Sequence, residues 1–334
     1  MQLSRPGWAR LRRAGDGGWR VAGTVVAVLA TLVAGLALLL HAVPTTWQPA
    51  VVLASGSHYP MWASVPALAA GLLVRRWGTA AVAAVLSALV LVVQVPTWVG
   101  ATPPAHGVRI VVMQANLRLG SADARSVVDR VRADRVTLLT TEELTVPEQA
   151  RLAAAGLSEQ LPYHYTVPSA PGAGNGIGLW SRYPISHRRL LPGFELKVIT
   201  VRVAQPGRPF VAAAVHLLPP WPQRPGGWAA ELARLKTVLR AVPAGEPVIA
   251  SGDYNSTVDH AQFRRLLSDG YADAAAQAGA GYPRTYPADR WTGPLIAIDH
   301  VLTRDAVATS LQTVALPGSD HRGLVAQVLL RTDG

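Results

Sequence analysis

Apolar residues run almost unbroken from residue 21 to residue 99, where Arg75 and Arg76 are the only charges. Beyond residue 108 the pattern changes to short β-branched runs that mostly end in an acid, an amide or a histidine. The first region reads as membrane helices and the second as strands of a globular domain. Segments 21–43 and 78–95 carry no Asp, Glu, Lys or Arg. About 20 such residues, rising 1.5 Å each, cross about 30 Å of hydrocarbon. A third apolar stretch, about 51–74, is interrupted by "SGSHYP" at 55–60.

The charges order these segments. Arg5, Arg10, Arg12, Arg13 and Arg20 precede the first, Arg75 and Arg76 follow the second, and "HAVPTTWQP" between them has neither Lys nor Arg. Basic loops stay cytoplasmic. The expectation is therefore three spans (about 21–43, 51–74 and 78–98), a basic cytoplasmic tail at 1–20, and everything after Val99 outside the cytoplasm. A re-entrant middle segment is the alternative. Trp47, Trp77 and Trp98 stand at span ends, as interfacial aromatics do. A cleaved signal peptide fits less well, since two more apolar runs follow the first. The Pro/Gly-rich linker "GATPPAHG" at 100–107 would hold a domain at 108–334 close to the bilayer.

Composition narrows this further. The chain has 334 residues, half hydrophobic, with a net charge of +11. Seven Arg and one Asp lie in residues 1–100; the remaining 24 Lys plus Arg and 19 Asp plus Glu leave only +5 for the globular part. That is a weak anion preference and no nucleic-acid footprint. The absence of Cys excludes disulfides and thiolate metal sites.

Strands are predicted at 108–117, 135–144, 175–185, 196–204, 210–217, 247–255, 297–302 and 321–330. Helices are predicted at 121–133, 147–155, 228–241 and 258–268. Many strands with fewer helices suggest an α+β fold of two packed sheets with helices outside.

Six motifs carry candidate chemistry: "QANL" (114–117), "EEL" (142–144), "HL" (216–217), "SGDYNS" (251–256), "IDHVL" (298–302) and "SDHRGL" (319–324). Asp253 and Asn255, two apart on an extended backbone, would face one pocket. There a carboxylate can take a proton from water and an amide can donate to a phosphoryl oxygen. An Asx-turn capping a helix near Val258 is the structural alternative. Asp299 and His321 are candidates for an Asp–His pair, with Asp320 beside a metal. Glu142 or Glu143 offers a hard-cation ligand, and Asn116 an amide oxygen. His216 ends an apolar strand and could meet a phosphoryl oxygen or protonate a leaving group. His300 adjoins Asp299 and is expected to point to the other side of the strand.

These motifs, in this order over about 108–332, resemble the endonuclease/exonuclease/phosphatase superfamily. "SGDYNS" is similar to its Gly-Asp-Phe-Asn, with Tyr254 in the aromatic place, and "SDHRGL" to its terminal Ser-Asp-His. The resemblance implies a four-layer α/β/β/α sandwich, DNase I-like. It implies Glu143, Asn116 and Asp320 at a metal, Mg²⁺ or Mn²⁺, with Glu142 in the place of a Gln. It implies catalytic roles for His216, Asp253, Asn255, Asp299 and His321. Thr137 departs from the family, which usually has Asp there. The N-terminal spans, "HLLPPW" and 263–287 are similar to a membrane-anchored actinobacterial branch that includes VanJ-type proteins, associated with teicoplanin-class resistance.

The expected function is a membrane-anchored, Mg²⁺-dependent phosphohydrolase acting outside the cytoplasm. Its partners would be the bilayer and a lipid-linked phosphate or diphosphate, such as a cell-wall lipid carrier, with no specific nucleic acid. The alternatives are an extracellular nuclease, a sphingomyelinase-like phosphodiesterase, or an inactive binding module.

Overall fold

Strand alternation decides the architecture. The computed structural model describes residues 8–332, with side chains from residue 17 on; residues 1–7 of the predicted basic tail, Arg5 included, lie outside the described residues. In β1 (Gly107–Asn116), Ile110 and Val112 enter one apolar cluster while Val111, Met113 and Ala115 enter another. Side chains two apart share a face, so Gln114 and Asn116 continue the stripe of Ile110 and Val112.

The first cluster lies between two six-stranded sheets. One sheet has the order β11 (Ala306–Val314), β12 (Gly323–Arg331), β1, β2 (Leu138–Glu142), β4 (Ile177–Ser181), β3 (Tyr163–Val167). The other has β5 (Ile185–Leu190), β6 (Val198–Val203), β7 (Phe210–His216), β8 (Val248–Asp253), β10 (Asp299–Arg304), β9 (Ala272–Asp273). Each sheet contains one parallel pair, β1 with β2 and β7 with β8.

Helices cover the outer faces. α6 (Ala124–Ala133) and α7 (Val146–Ala154) flank the first sheet. α6 buries Ala124, Val127, Val128 and Val131 on one stripe, and Asp123 caps it by accepting from Ser126 N. Thr145 caps α7 by accepting from Glu148 N. α8 (Leu157–Gln160) follows. α9 (Pro225–Arg240) packs Trp228, Leu232, Leu235 and Leu239 on the second sheet. The predicted helix at 258–268 is only the single turn α10 (Ala261–Arg264), because the Arg264 guanidinium binds the Val258 and Asp259 carbonyls at 2.8 Å each, where helix amides would otherwise pair. α11 (Ala274–Gln277) ends the set.

Two compact units divide the chain: Met1–Val43 with Ser57–Gln94, and Pro44–Gly56 with Val95–Gly334. The first contains α1 (Trp8–Ala42), α3 (His58–Met61), α4 (Ser64–Leu73) and α5 (Trp77–Gln94). Gly71 in α4 lets a backbone pass close, since a Cβ there would sit 3.1 Å from Ala80 N. Gln94 donates to the His58 carbonyl at 2.9 Å and accepts from the Trp62 indole at 3.0 Å. Small contact residues and a buried amide are what helices packed in lipid use.

Two helices among the described residues, Gly17–Ala42 and Trp77–Thr97, are long and apolar enough to cross a membrane, and only 17% and 22% of their apolar windows are buried. The third expected span, 51–74, is not one continuous helix: it is divided among α2 (Gln48–Ala54), α3 and α4. α2 and residues 95–107 belong to the sandwich unit, where Ala101 N donates to the Gln277 carbonyl at 2.7 Å and ties the linker to α11.

Gly252 marks a tight approach at the end of β8. A Cβ there would overlap the Val215 carbonyl of the parallel neighbour. Gly252→Ala should therefore cost about 1–3 kcal/mol. Chemical denaturation of the purified protein checks this; an unchanged midpoint would show that the strands can part without cost.

Candidate active site

The apolar stripes between the sheets turn polar at one end of the sandwich. Ile110 and Val112 give way to Gln114 and Asn116; Leu138 to Thr140 and Glu142; Ala212 and Ala214 to His216; Ile249 to Ser251 and Asp253. Register aligns the ends. His216 pairs with Asp253, Asp253 with Asp299, and Asn116 with Glu142. Thr140 and Ser251 hydroxyls meet at 2.9 Å across the two sheets, just below the charged residues.

Gln114 joins the sheets at the charged level. Its amide donates to Glu142 Oε2 at 2.6 Å and to Asp299 Oδ1 at 2.7 Å. Asn116 joins them again, donating to Asp253 Oδ2 at 3.1 Å and to Glu143 Oε1 at 3.3 Å. His321 Nδ1 lies 2.9 Å from Asp299 Oδ2, and its Nε2 is 3.8 Å from Asp253 Oδ2. His216 Nε2 is 3.9 Å from the same Asp253 oxygen. A cavity of about 350 Å³ opens on Glu143, His216, Asp253, Asn255, Asp320 and His321.

Six of the eight predicted residues thus share hydrogen bonds or close contacts: Asn116, Glu143, His216, Asp253, Asp299 and His321. Asn255 reaches the same cavity by a different route from the one expected. β8 ends at Asp253, and Asn255 is left-handed (φ 47°), so the two are not alternate residues of an extended strand. Asp253 Oδ1 instead accepts from Asn255 N at 2.8 Å in an Asx-turn, and the Asn255 amide donates to the Leu217 carbonyl at 2.9 Å. Asp320 sits at the rim, 3.9 Å from the Arg118 guanidinium. Glu142 is enclosed behind Gln114, while Glu143 has left β2 in a left-handed conformation (φ 55°) and lines the cavity. His300 does turn to the outer face, between Asp273 (2.6 Å) and the Ser256 carbonyl (2.8 Å). Thr137 makes two bonds with the Val111 backbone, a structural use of the position.

Gln114, Tyr286, Val52 and Ser55 were not singled out from the sequence. Gln114 is two residues before Asn116 on the same strand face, and that spacing was the available signal. The Tyr286 ring lies 4.9 Å from the His321 ring. Nothing in the sequence pointed to α2 as part of the cavity.

Burial dominates the electrostatics. It pushes Glu142 well above the carboxylate range, with the Asp299 charge adding to it. Burial raises Glu143, and burial with the Asp299 charge raises Asp253 to about 7. Burial and the His321 charge push His216 down to about 3, so it is neutral. Burial alone would depress His321, but the charge and hydrogen bond of Asp299, with Asp253 and Asp320, outweigh it and raise His321 to about 10.

The donor set fits a hard divalent cation. Asp253, Asp299 and His321 each offer an atom within 4.8 Å of the others, Asn116 bonds both Asp253 and Glu143 beside them, and Glu143 and Asp320 line the same cavity. Buried Glu142 Oε1, Gln114 Oε1 and His216 Nδ1 have no hydrogen-bond partner among the described residues. Oxygen-rich, anionic, partly unsatisfied clusters are what Mg²⁺-class ions select.

The profile of the endonuclease/exonuclease/phosphatase family matches residues 113–321. The chain belongs to that family. A curated relative, the uncharacterized protein YbhP of Escherichia coli (strain K12), is 28% identical over 171 residues. The match covers 48% of this chain and 65% of YbhP, so the chain spans just under two-thirds of that relative. A solved D. rerio TDP2 complexed with single strand DNA product superposes with a TM-score of 0.56 at 16% identity, over 66% of this chain and 98% of that one. An endonuclease/exonuclease/phosphatase from Beutenbergia cavernae DSM 12333 gives 0.54 at 20% identity, over 66% and 72%. At such identities the likeness is one of fold. The family's fold is shown, and the buried Asp–Asp–His cluster at its strand ends could hold a metal ion.

His321 makes the metal-free protein sensitive to alkali. Its folded value lies above its ordinary 6.5, so its stabilising charge is complete below 6.5 and is lost as pH rises through about 10. In EDTA the melting temperature should fall across that window, and His321→Ala should flatten the fall. An equally steep fall in the variant would assign it to other groups.

Proposed function

We propose that the protein is a membrane-anchored phosphohydrolase that acts outside the cytoplasm on a lipid-linked phosphate or diphosphate. The observation that carries this reading is the cavity itself. It joins the acid–histidine cluster to the apolar residues Val52, Leu196, Trp221 and Ile296, and among the described residues its lining has no Lys or Arg. A nuclease would be expected to track the backbone with basic side chains. A cell-wall lipid carrier is one such substrate, and a role in teicoplanin-type resistance would follow from acting on it.

Glu143 and Asn116, with Asp320 at the rim, would hold a Mg²⁺ ion, which supplies Lewis-acid polarisation of the phosphoryl oxygen and offsets leaving-group charge. The chain's own groups do the rest. Asp253, with its raised affinity for a proton, takes one from the attacking water. Asp299 fixes the His321 ring and keeps it cationic beside Asp253, where its charge faces the phosphoryl oxygens. Neutral His216 offers its Nε2 to the phosphate. The Asn255 amide gives one N–H to the Leu217 carbonyl and would give its other to the phosphoryl group.

The topology rests on a parity argument. Segments Pro44–Gly56 and Val95–Gly334 form one compact unit, which supports assigning both to one side of the membrane. If α1 crosses, the start of the chain lies on the other side. If α5 crosses, residues 58–73 must cross in the opposite direction, as a kinked pair of short helices. The turn between them carries Arg75 and Arg76 and is then cytoplasmic.

Three experiments test these readings. Asp253→Ala should lower kcat at least about 100-fold on any substrate turned over, and EDTA should abolish turnover until Mg²⁺ is restored. Purified protein should hydrolyse a polyprenyl diphosphate in preference to single-stranded DNA; DNA cleavage without lipid turnover would overturn the substrate class. Because the chain has no Cys, single cysteines report topology cleanly. In intact cells an impermeant maleimide should label Thr46→Cys and spare Arg75→Cys, and labelling of both would break the three-crossing arrangement.

A further inference from the structure

A helix far upstream of the family match, α2, is built into the sandwich unit. Val51 is 1% exposed and shares a core cluster with Trp228, Leu232 and Phe263. Its carbonyl lies 3.0 Å from His260 Nε2. His260 Nδ1 accepts from Thr257 N at 3.0 Å, which leaves the proton on Nε2 to be donated to Val51. Gln48 donates to the Gln223 carbonyl at 3.1 Å, and Gln262 to the Thr45 carbonyl at 2.6 Å. Core packing and three hydrogen bonds therefore fix this seven-residue helix, too short to be stable alone.

Fixed in that way, α2 presents Val52 and Ser55 to the cavity that Asp253 and His321 also line. Val52 remains 47% exposed and Trp221, on the same cavity, 64%. Leu196, Pro219, Pro220 and Ile296 extend the apolar lining. An apolar wall continuous with a carboxylate cluster matches one kind of molecule: a phosphate or diphosphate joined directly to a hydrocarbon chain. Position in the chain agrees with this. α2 starts five residues after α1, the first helix long and apolar enough to cross a bilayer.

We propose that α2 is the chain-length specificity element of the site, with Val52 seating hydrocarbon units of the substrate beyond the first. This rests on the lipid-phosphate reading above. Segment 44–56 is then a working part of the active site, and the enzyme measures its substrate's tail with a loop between membrane segments.

The test uses the full chain in detergent micelles with Mg²⁺ and two prenyl diphosphates, of five and fifteen carbons. Wild type should favour the longer by more than about tenfold in kcat/KM, the discrimination that a few apolar contacts give. Val52→Asp should cut that ratio about tenfold, and Val52→Ala should cut it less, which keeps the test open should the Asp variant misfold. Leu53→Asp, exposed on α2 but off the cavity, should leave the ratio unchanged. An unchanged ratio in both Val52 variants overturns the proposal, as does an equal loss in Leu53→Asp, which would mean partitioning into micelles rather than recognition in the cavity. A wild-type ratio near one overturns the α2 role while leaving the lipid reading intact. Cleavage of single-stranded DNA with neither diphosphate turned over overturns both.

Discussion

Four buried or nearly buried carboxylates at the seam of two sheets impose the constraint that the site must satisfy. Glu142, Glu143, Asp253 and Asp299 lie within one hydrogen-bonded network whose only cationic member is His321. Charges taken out of water repel strongly unless something offsets them. Gln114 and Asn116 meet part of that demand, each spending one amide on carboxylates from both sheets. The remaining demand is what a divalent cation would meet, so the cost of assembling the acids is the source of the site's affinity for a metal.

That network also explains why the sandwich is closed at this end. The sheets meet through Val, Ile, Leu and Ala over most of their depth, then through Thr140 and Ser251, then through charged groups. Each polar residue sits on the same strand face as the core residues before it, so one alternation rule places both core and chemistry. The left-handed residues Glu143 and Asn255 lie just past the ends of β2 and β8, and both line the cavity. Such backbone conformations gather at sites whose surroundings hold them in place.

Much of this was legible from the sequence. Strands ending in polar residues gave the positions of Asn116, Glu143, His216, Asp253, Asp299 and His321, because alternation and strand-end placement are local properties. Gln114 was read as part of a motif without a role, since its bridge to Asp299 spans a sequence distance no local pattern encodes. For Asn255 the sequence allowed an extended strand or an Asx-turn, and the structure has an Asx-turn at Asp253, which local sequence alone does not separate from a strand. α2 was read as part of a membrane span. Its "VVLA" is as apolar as a span, and only tertiary burial of Val51 distinguishes the two. β3, β9, β11 and all but the first residue of β5 went unread; β11 follows β10 at left-handed Asp305 but joins the other sheet, and its side-chain exposure alternates only in its second half.

Direct measurement of metal binding tests the central claim, that these strand ends form one cation site. Titration of the metal-free protein with Mn²⁺, followed by electron paramagnetic resonance, should show one tightly bound ion per chain. Glu143→Gln should lose that ion while retaining the wild-type circular dichroism spectrum. Undiminished binding in the folded variant, or no bound ion in wild type, would contradict the account.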